Sequence, residues 1–217
     1  MKERGLIFTG ESIPGLLSGA KTQTRRVISA QPVLVEGRTW EWPFITEKLP
    51  DGSWRRLKAS WADGIRDVTV PMAQFCPYQP GDRIWVRETW YSDWDKKNPF
   101  RWAHYKADLM CRHEHNGQPI NEPWFKSGHR GPWKSPRFMP RWASRMTLEL
   151  TGIRVERLQA ISEADAIAEG VADKAVEGDV VGAYAMTWDL LNERRGFPWE
   201  SNLWVWVLEF RLIDKLS

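Results

Sequence analysis

Cysteine is scarce in this chain. Two residues, Cys76 and Cys111, in 217 are too few for the disulfide framework that staples small secreted domains. Long apolar runs are missing as well. The strongest, Leu203 to Leu208, falls far short of the ~20 residues that a membrane-spanning helix needs. The opening residues MKERGLIF have no apolar core of a secretory signal. A soluble protein of the reducing cytoplasm is expected. Nor is there an excess of one charge: 31 basic residues nearly cancel 28 acidic ones to leave +3, so global charge selects no partner. Together with an aromatic content of 12%, that balance excludes disorder as the main state.

What the chain does have is tryptophan, 15 residues against 8 Phe and 4 Tyr. The length fits one domain, or one domain with large insertions, and suffices to bury a core. Gly5 to Thr9 read as a short buried strand. A helix through Ile13, Leu16 and Leu17 follows, with Ser12 as its cap, Pro14 in its first turn and Gly19 at its end. The next stretch, Lys21 to Arg26, is too polar and basic for a core strand. Between about 30 and 78, prolines punctuate short patches without periodicity, as in an insertion of hairpins and loops. A turn at Gln79–Asp82 feeds a strand from Arg83 to Trp90 with Ile84, Val86 and Glu88 on one face, and Arg101 to Ala107 reads as its partner.

Residues 110–140 are again loop-like, and 93–135 is taken as a second insertion. Met146 to Arg157 alternates as a long strand with Gly152 as a bulge or corner. Ser162 caps a short helix that ends at Glu169 and Gly170. A second helix spans about 180–195 with Tyr184, Trp188 and Leu191 on one stripe. The last strand, Leu203 to Ile213, is apolar enough at its start to be buried on both faces. Strands outnumber helices without a βαβ rhythm, which favours a small mixed α+β barrel over a doubly wound sheet.

Three constellations carry possible chemistry. In Gly19-Ala20-Lys21-Thr22-Gln23-Thr24-Arg25-Arg26, a desolvated Lys21 would be a general base beside Thr24, a weak nucleophile that needs an activator. The same residues also fit a solvated basic turn. Lys126, Arg130, Lys134, Arg137, Arg141 and Arg145 lie in one stretch without an acid, interleaved with Trp133, Phe138 and Trp142. Cations on phosphates and rings under bases are the ingredients of single-strand nucleic-acid binding; core aromatics with a solvated cationic rim would give the same pattern. Cys111, His113 and His115 are metal-ligand types, but their spacing matches no usual zinc knuckle, and no metal or other cofactor is expected.

The stretch LLSGAKTQTRR resembles the G-x-K-x-x-x-x-R signature of the ASCH domain, with Gly19, Lys21 and Arg26 on its positions. QPGDRIWVRETW, FMPRWASRMTLELTGIRVERLQAISEADAIAEG and NLWVWVLEF extend the resemblance in order over about half the chain, most like the larger ASCH proteins of tailed phages and prophages. It implies a single PUA-like β-barrel domain over 1–217 with flanking helices, enlarged by the two loop-rich insertions. Small bacterial members are amidohydrolases of N4-acetylcytidine whose catalytic Lys, Thr and Glu would here be Lys21, Thr24 and Glu169. Many other ASCH domains have Glu where this chain has Thr24. The resemblance therefore implies attack by Thr24, activation by Lys21 and oxyanion stabilisation by Arg26. Arg25, Trp133, Arg137, Arg141 and Trp142 are candidates for holding a modified nucleoside or RNA. A non-catalytic RNA-binding module, an ASCH-type ribonuclease and a phage structural protein with a vestigial pocket are the rivals, and no membrane partner is expected.

Overall fold

The computed structural model describes residues 1–28, 31, 33–35, 39–41, 46–48, 54–56, 60–62, 76–92, 100–115, 118–119 and 132–215. In chain order the strands are β1 (Glu3–Ile7), β2 (Gln23–Val27), β3 (Val33–Val35), β4 (Thr39–Glu41), β5 (Thr46–Lys48), β6 (Trp54–Arg56) and β7 (Ser60–Ala62). They continue with β8 (Arg83–Arg87), β9 (Trp90–Tyr91), β10 (Phe100–Tyr105), β11 (Cys111–His115), β12 (Gln118–Pro119), β13 (Met146–Arg157) and β14 (Trp204–Lys215). The helices are α1 (Ile13–Ser18), α2 (Glu163–Ala168) and α3 (Val180–Asn192), with several single 3₁₀ turns. The fold is mixed α+β. Its largest sheet runs β1-β8-β13-β14-β2, with β1 parallel to β8 and with antiparallel pairing of β8 with β13 and of β2 with β14.

The expected barrel is not closed among the described residues: this sheet ends at β1 and at β2. Strands that would extend it are spent elsewhere. β3, β4 and β7 pair with one another, as do β5 and β6, which matches the hairpins expected near 30–78. Residues 110–140, read from sequence as loop, contain β11, which pairs antiparallel with β10 from His104↔Cys111 to Phe100↔His115. The Pro and Gly content of the whole stretch hid this hairpin because it crowds into the residues after it. β10 pairs with β9 as well as β11, so it meets the strand read from Arg83 to Trp90 at Trp90, opposite Tyr105.

By internal contacts the chain divides into two units, 1–22 with 81–151 and 210–217, and 23–80 with 152–209. The first has a core of Trp90, Ala103, Tyr105, Met139 and Ala143, with Met110 and Trp142 packed against it, and an edge-to-face pair of Phe8 and Phe210. The alternation read in β8 holds: Ile84, Val86 and Glu88 are buried while Trp85 and Arg87 are half-exposed. Glu88 is an acid in a core, and Arg145 answers it with a bidentate pair at 2.8 and 2.9 Å. Arg145 also reaches Asp108 at 2.6 Å and stacks over the Tyr105 ring at 4.1 Å.

The second unit buries Leu158, Ile161, Ala166, Val171, Tyr184, Trp188, Val205 and Val207 together. α3 delivers Tyr184 and Trp188 as its stripe required, but Leu191 is exposed, because the stripe turns away from the core before the helix ends. β13 runs through Gly152, where a Cβ would fall on the Glu209 carboxylate, so the strand approaches β14 closely there.

Candidate functional site

Lys21 belongs to the first unit, and its placement is local. Gly19 ends α1 with φ of 78°, a left-handed conformation that glycine adopts at no steric cost. The chain then folds back so that the Lys21 amide donates to the Gly15 carbonyl at 3.0 Å. Gly15 makes the room: a Cβ at that position would lie 3.2 Å from Lys21 Cβ. The next residue is pinned too, the Thr22 carbonyl accepting from the Phe210 amide at 2.9 Å. Lys21 ends up buried, which a solvated basic turn would not do.

Thr24, Arg25, Arg26 and Glu169 belong to the second unit. Here the sequence reading needs correction, since residues 23–27 form β2 and Gln23, Thr24 and Arg25 are buried in it. Thr24 pairs with Leu208, Arg25 with Val207 and Arg26 with Trp206. A strand this basic can be buried because acids meet it. Arg25 lies 3.1 Å from Glu156, 3.3 Å from Asp165 and 3.5 Å from Glu169, with its own side chain fully covered. Arg154 adds a second cation that bonds Glu156, Asp165 and Glu209. Burial pushes the Asp165 carboxyl up, but the Arg154 hydrogen bond and charge, helped by Arg25, outweigh it and hold it below its ordinary value.

Glu169 reaches this cluster through α2. The Ser162 hydroxyl accepts from the Asp165 amide at 3.1 Å and starts the helix as expected. The Glu169 amide closes the last turn on the Asp165 carbonyl at 2.9 Å, and Gly170 follows with φ of 79°. An acid at a helix C-terminus is mildly unfavourable toward the dipole. Glu169 is nonetheless buried, with Arg25 beside it. Burial pulls the Arg26 guanidinium below its ordinary pKa, and the charges of Glu169, Tyr78 and Tyr184 partly restore it.

Tyr184 is the residue that sequence reasoning placed in the core and nowhere else. It is buried at 5% exposure, and the Arg25 guanidinium stands 5.8 Å from its ring centre. Burial first, and the Glu169 charge second, raise its phenol well above the ordinary value, so it is an O–H donor at neutral pH. Arg154, Glu156 and Asp165 were also missed. The available signal was in β13, where Arg154 and Glu156 share a face of a long strand and so announce buried partners.

Of the basic stretch, Lys126 and Arg130 lie outside the described residues. The remainder belongs to the first unit, and its acids come from elsewhere in the chain: Arg145 goes to Glu88 and Asp108, and Arg141 bonds Glu3 at 2.8 Å and Thr147 at 3.2 Å. Lys134 donates to the Ser92 carbonyl and stands over the rings of Trp90 and Tyr91. Trp142 packs edge-on against Trp90 at 6.2 Å, Trp133 is half-buried, and Arg137 is exposed. Cys76 and Cys111 are both buried, and neither is in a disulfide. Burial raises both thiols, Cys111 to about 11, so neither is an activated nucleophile. The side chains of His113 and His115 lie outside the described residues. Among the described residues, no helix is long and apolar enough to cross a membrane.

No family model matches the chain, and no curated protein does. Among solved structures, the chain is similar to a crystal structure of an Enterococcus faecalis V583 protein assigned to DUF984, at 11% identity over 100% of this chain and 83% of that one. The TM-score is 0.38, a likeness too loose to assign a fold.

Proposed function

We propose that the chain is an ASCH-type protein of PUA-like architecture that hydrolyses the amide of an N4-acylated cytidine or a related modified nucleoside. Thr24 is the nucleophile, Lys21 its base and Glu169 the third member. The observation that carries this reading is burial: Lys21, Thr24 and Glu169, the three positions matching the amidohydrolase set, are each only 6% exposed. Lys and Glu are almost never withdrawn from water without a partner or a task.

In the proposed reaction the Thr24 hydroxyl gives its proton to the Lys21 amine as Oγ forms a bond to the acyl carbon. The carbonyl electron pair moves onto oxygen, where Arg26 stabilises it. Collapse breaks the bond from carbon to N4, and the Lys21 ammonium returns the proton to N4, releasing cytidine. Water then cleaves the Thr24 ester, again with Lys21 as base, to give the carboxylic acid.

The pairing of Arg25 with three acids favours this enzyme reading over a module in which Arg25 meets phosphate. Purified protein incubated with N4-acetylcytidine should release cytidine and acetate, followed by HPLC alongside longer acyl cytidines and an RNA oligonucleotide. Release from none of the acyl cytidines would overturn the reading, and cleavage of the oligonucleotide would replace it with a ribonuclease.

A further inference from the structure

We propose that the turn around Phe138, together with the ring pair beside Lys134, is a docking surface for single-stranded nucleic acid. It lies wholly in the first unit and goes beyond the proposed hydrolysis. Of the described cations in the basic stretch, Arg141 and Arg145 are paired with acids. Lys134 and Arg137 remain. Both are exposed, and among the described residues neither is paired with a carboxylate. Phe138 follows Arg137 at 72% exposure, the one exposed Phe, Tyr or Trp among the described side chains.

A single ring on a surface needs no explanation, but this one is held out in water. Pro136 fixes the start of a 3₁₀ turn, the Ser135 hydroxyl accepts from the Arg137 amide at 3.3 Å, and the Ser135 carbonyl accepts from the Phe138 amide at 3.0 Å. Both flanks are anchored. On one side the Lys134 amide donates to the Trp90 carbonyl at 2.7 Å. On the other, Met139 is buried at 2% exposure and its sulfur accepts from the Glu88 amide at 3.4 Å. The turn cannot fold its ring inward without breaking these bonds.

Beyond Lys134 the rings continue. Its ammonium stands 5.6 Å from the ring centre of Tyr91, which lies 5.9 Å from the His104 ring at a tilt of 33°. Both rings are half-buried. Flat faces edged by cations match the alternation of bases and phosphates in a single strand, since any base can stack on an aromatic ring while the guanidinium and ammonium take the phosphates. An acidic peptide would satisfy Lys134 and Arg137 and leave the ring of Phe138 idle, which decides between the two partners.

The test is fluorescence anisotropy of the full chain with a labelled oligouridine of about 12 nucleotides, within the span that such surfaces cover. The logarithm of the binding constant should fall against that of salt concentration with a slope of about −1.4, the value for two phosphates of a single strand. Phe138→Ala should weaken binding roughly 5- to 100-fold at an unchanged slope, whereas Arg137→Gln should reduce the slope by about 0.7. Phe138→Trp keeps a ring and should bind like the parent. These changes fall on exposed side chains, so melting temperatures should match the parent's. Oligothymidine of the same length is the second arm: losses of this kind with either strand support the surface, and the tighter strand names its source, RNA or DNA. No binding to either at low salt, parental affinity in Phe138→Ala, or displacement by polyglutamate as readily as by unlabelled oligouridine would overturn the proposal. None of these readouts needs turnover, so a protein that releases no cytidine loses the proposed function while binding alone still decides this surface.

Discussion

Replacing Arg145 with methionine should lower the free energy of unfolding by about 3–5 kcal/mol, because removing one partner of a buried ion pair leaves the other charge uncompensated. Glu88 is 1% exposed, and both its oxygens are bonded to Arg145. Asp108, whose side chain is 30% exposed, turns to water and suffers less. At this chain length the loss corresponds to a melting temperature lower by roughly 10 °C. The double variant Glu88→Leu with Arg145→Met should recover most of it, since an apolar pair of similar volume is often as stable as the ion pair.

The pH dependence of the Arg145 variant has a definite sign. Burial raises the Glu88 carboxyl above its ordinary value, and the Arg145 hydrogen bond and charge partly oppose this. A raised folded value favours the protonated folded state, so this contribution is full below the unfolded value and is lost as pH rises through the folded one. Without Arg145 the opposition is gone and the loss grows. The stability gap between parent and variant, from urea unfolding, should therefore be smaller near about pH 4 than near about pH 7. A gap independent of pH would mean that Glu88 finds another partner.

Lys21→Ala and Thr24→Ala should each lower kcat/KM for acetylcytidine by about 10³-fold or more, within the range for removing a general base or its nucleophile. The two act as one unit, so the double variant should be no slower than the worse single one. Lys21→Arg should not rescue, since a guanidinium does not give up its proton. Thr24→Ser should retain turnover because it keeps the hydroxyl. Met186→Ala, on a side chain 76% exposed, serves as the control and should leave the rate unchanged. Undiminished turnover in either alanine variant would remove that residue from the reaction.

Local rules reached the helices well. Gly19, Ser162 and Gly170 are where capping chemistry put them, and the alternation through Ile84, Val86 and Glu88 located the buried face of β8. Ser12 is an exception, for its hydroxyl pairs with that of Thr9 and makes no cap. The failures around the two basic stretches share one cause, charge neutralised at a distance. β2 looked too basic to be a strand because Glu156, Asp165 and Glu169 stand more than 130 positions further along. The run of cations ending at Arg145 looked like a free surface for the same reason, with Glu88, Asp108 and Glu3 invisible to any short window. Tyr184 was legible as a stripe residue, whereas the Arg25 guanidinium beside its ring needed the third dimension.

The tight space above Gly15 reaches beyond helix geometry. Because a Cβ there would lie 3.2 Å from Lys21 Cβ, position 15 has no functional group of its own and yet governs one. In a random mutagenesis screen that keeps folded, soluble clones and scores loss of deacetylation, Gly15→Val or bulkier should surface alongside Lys21 itself. Gly10, around which an added Cβ meets nothing within 4 Å, should stay silent. A hit list that contains a glycine with no chemistry would thus point back to the lysine it makes room for.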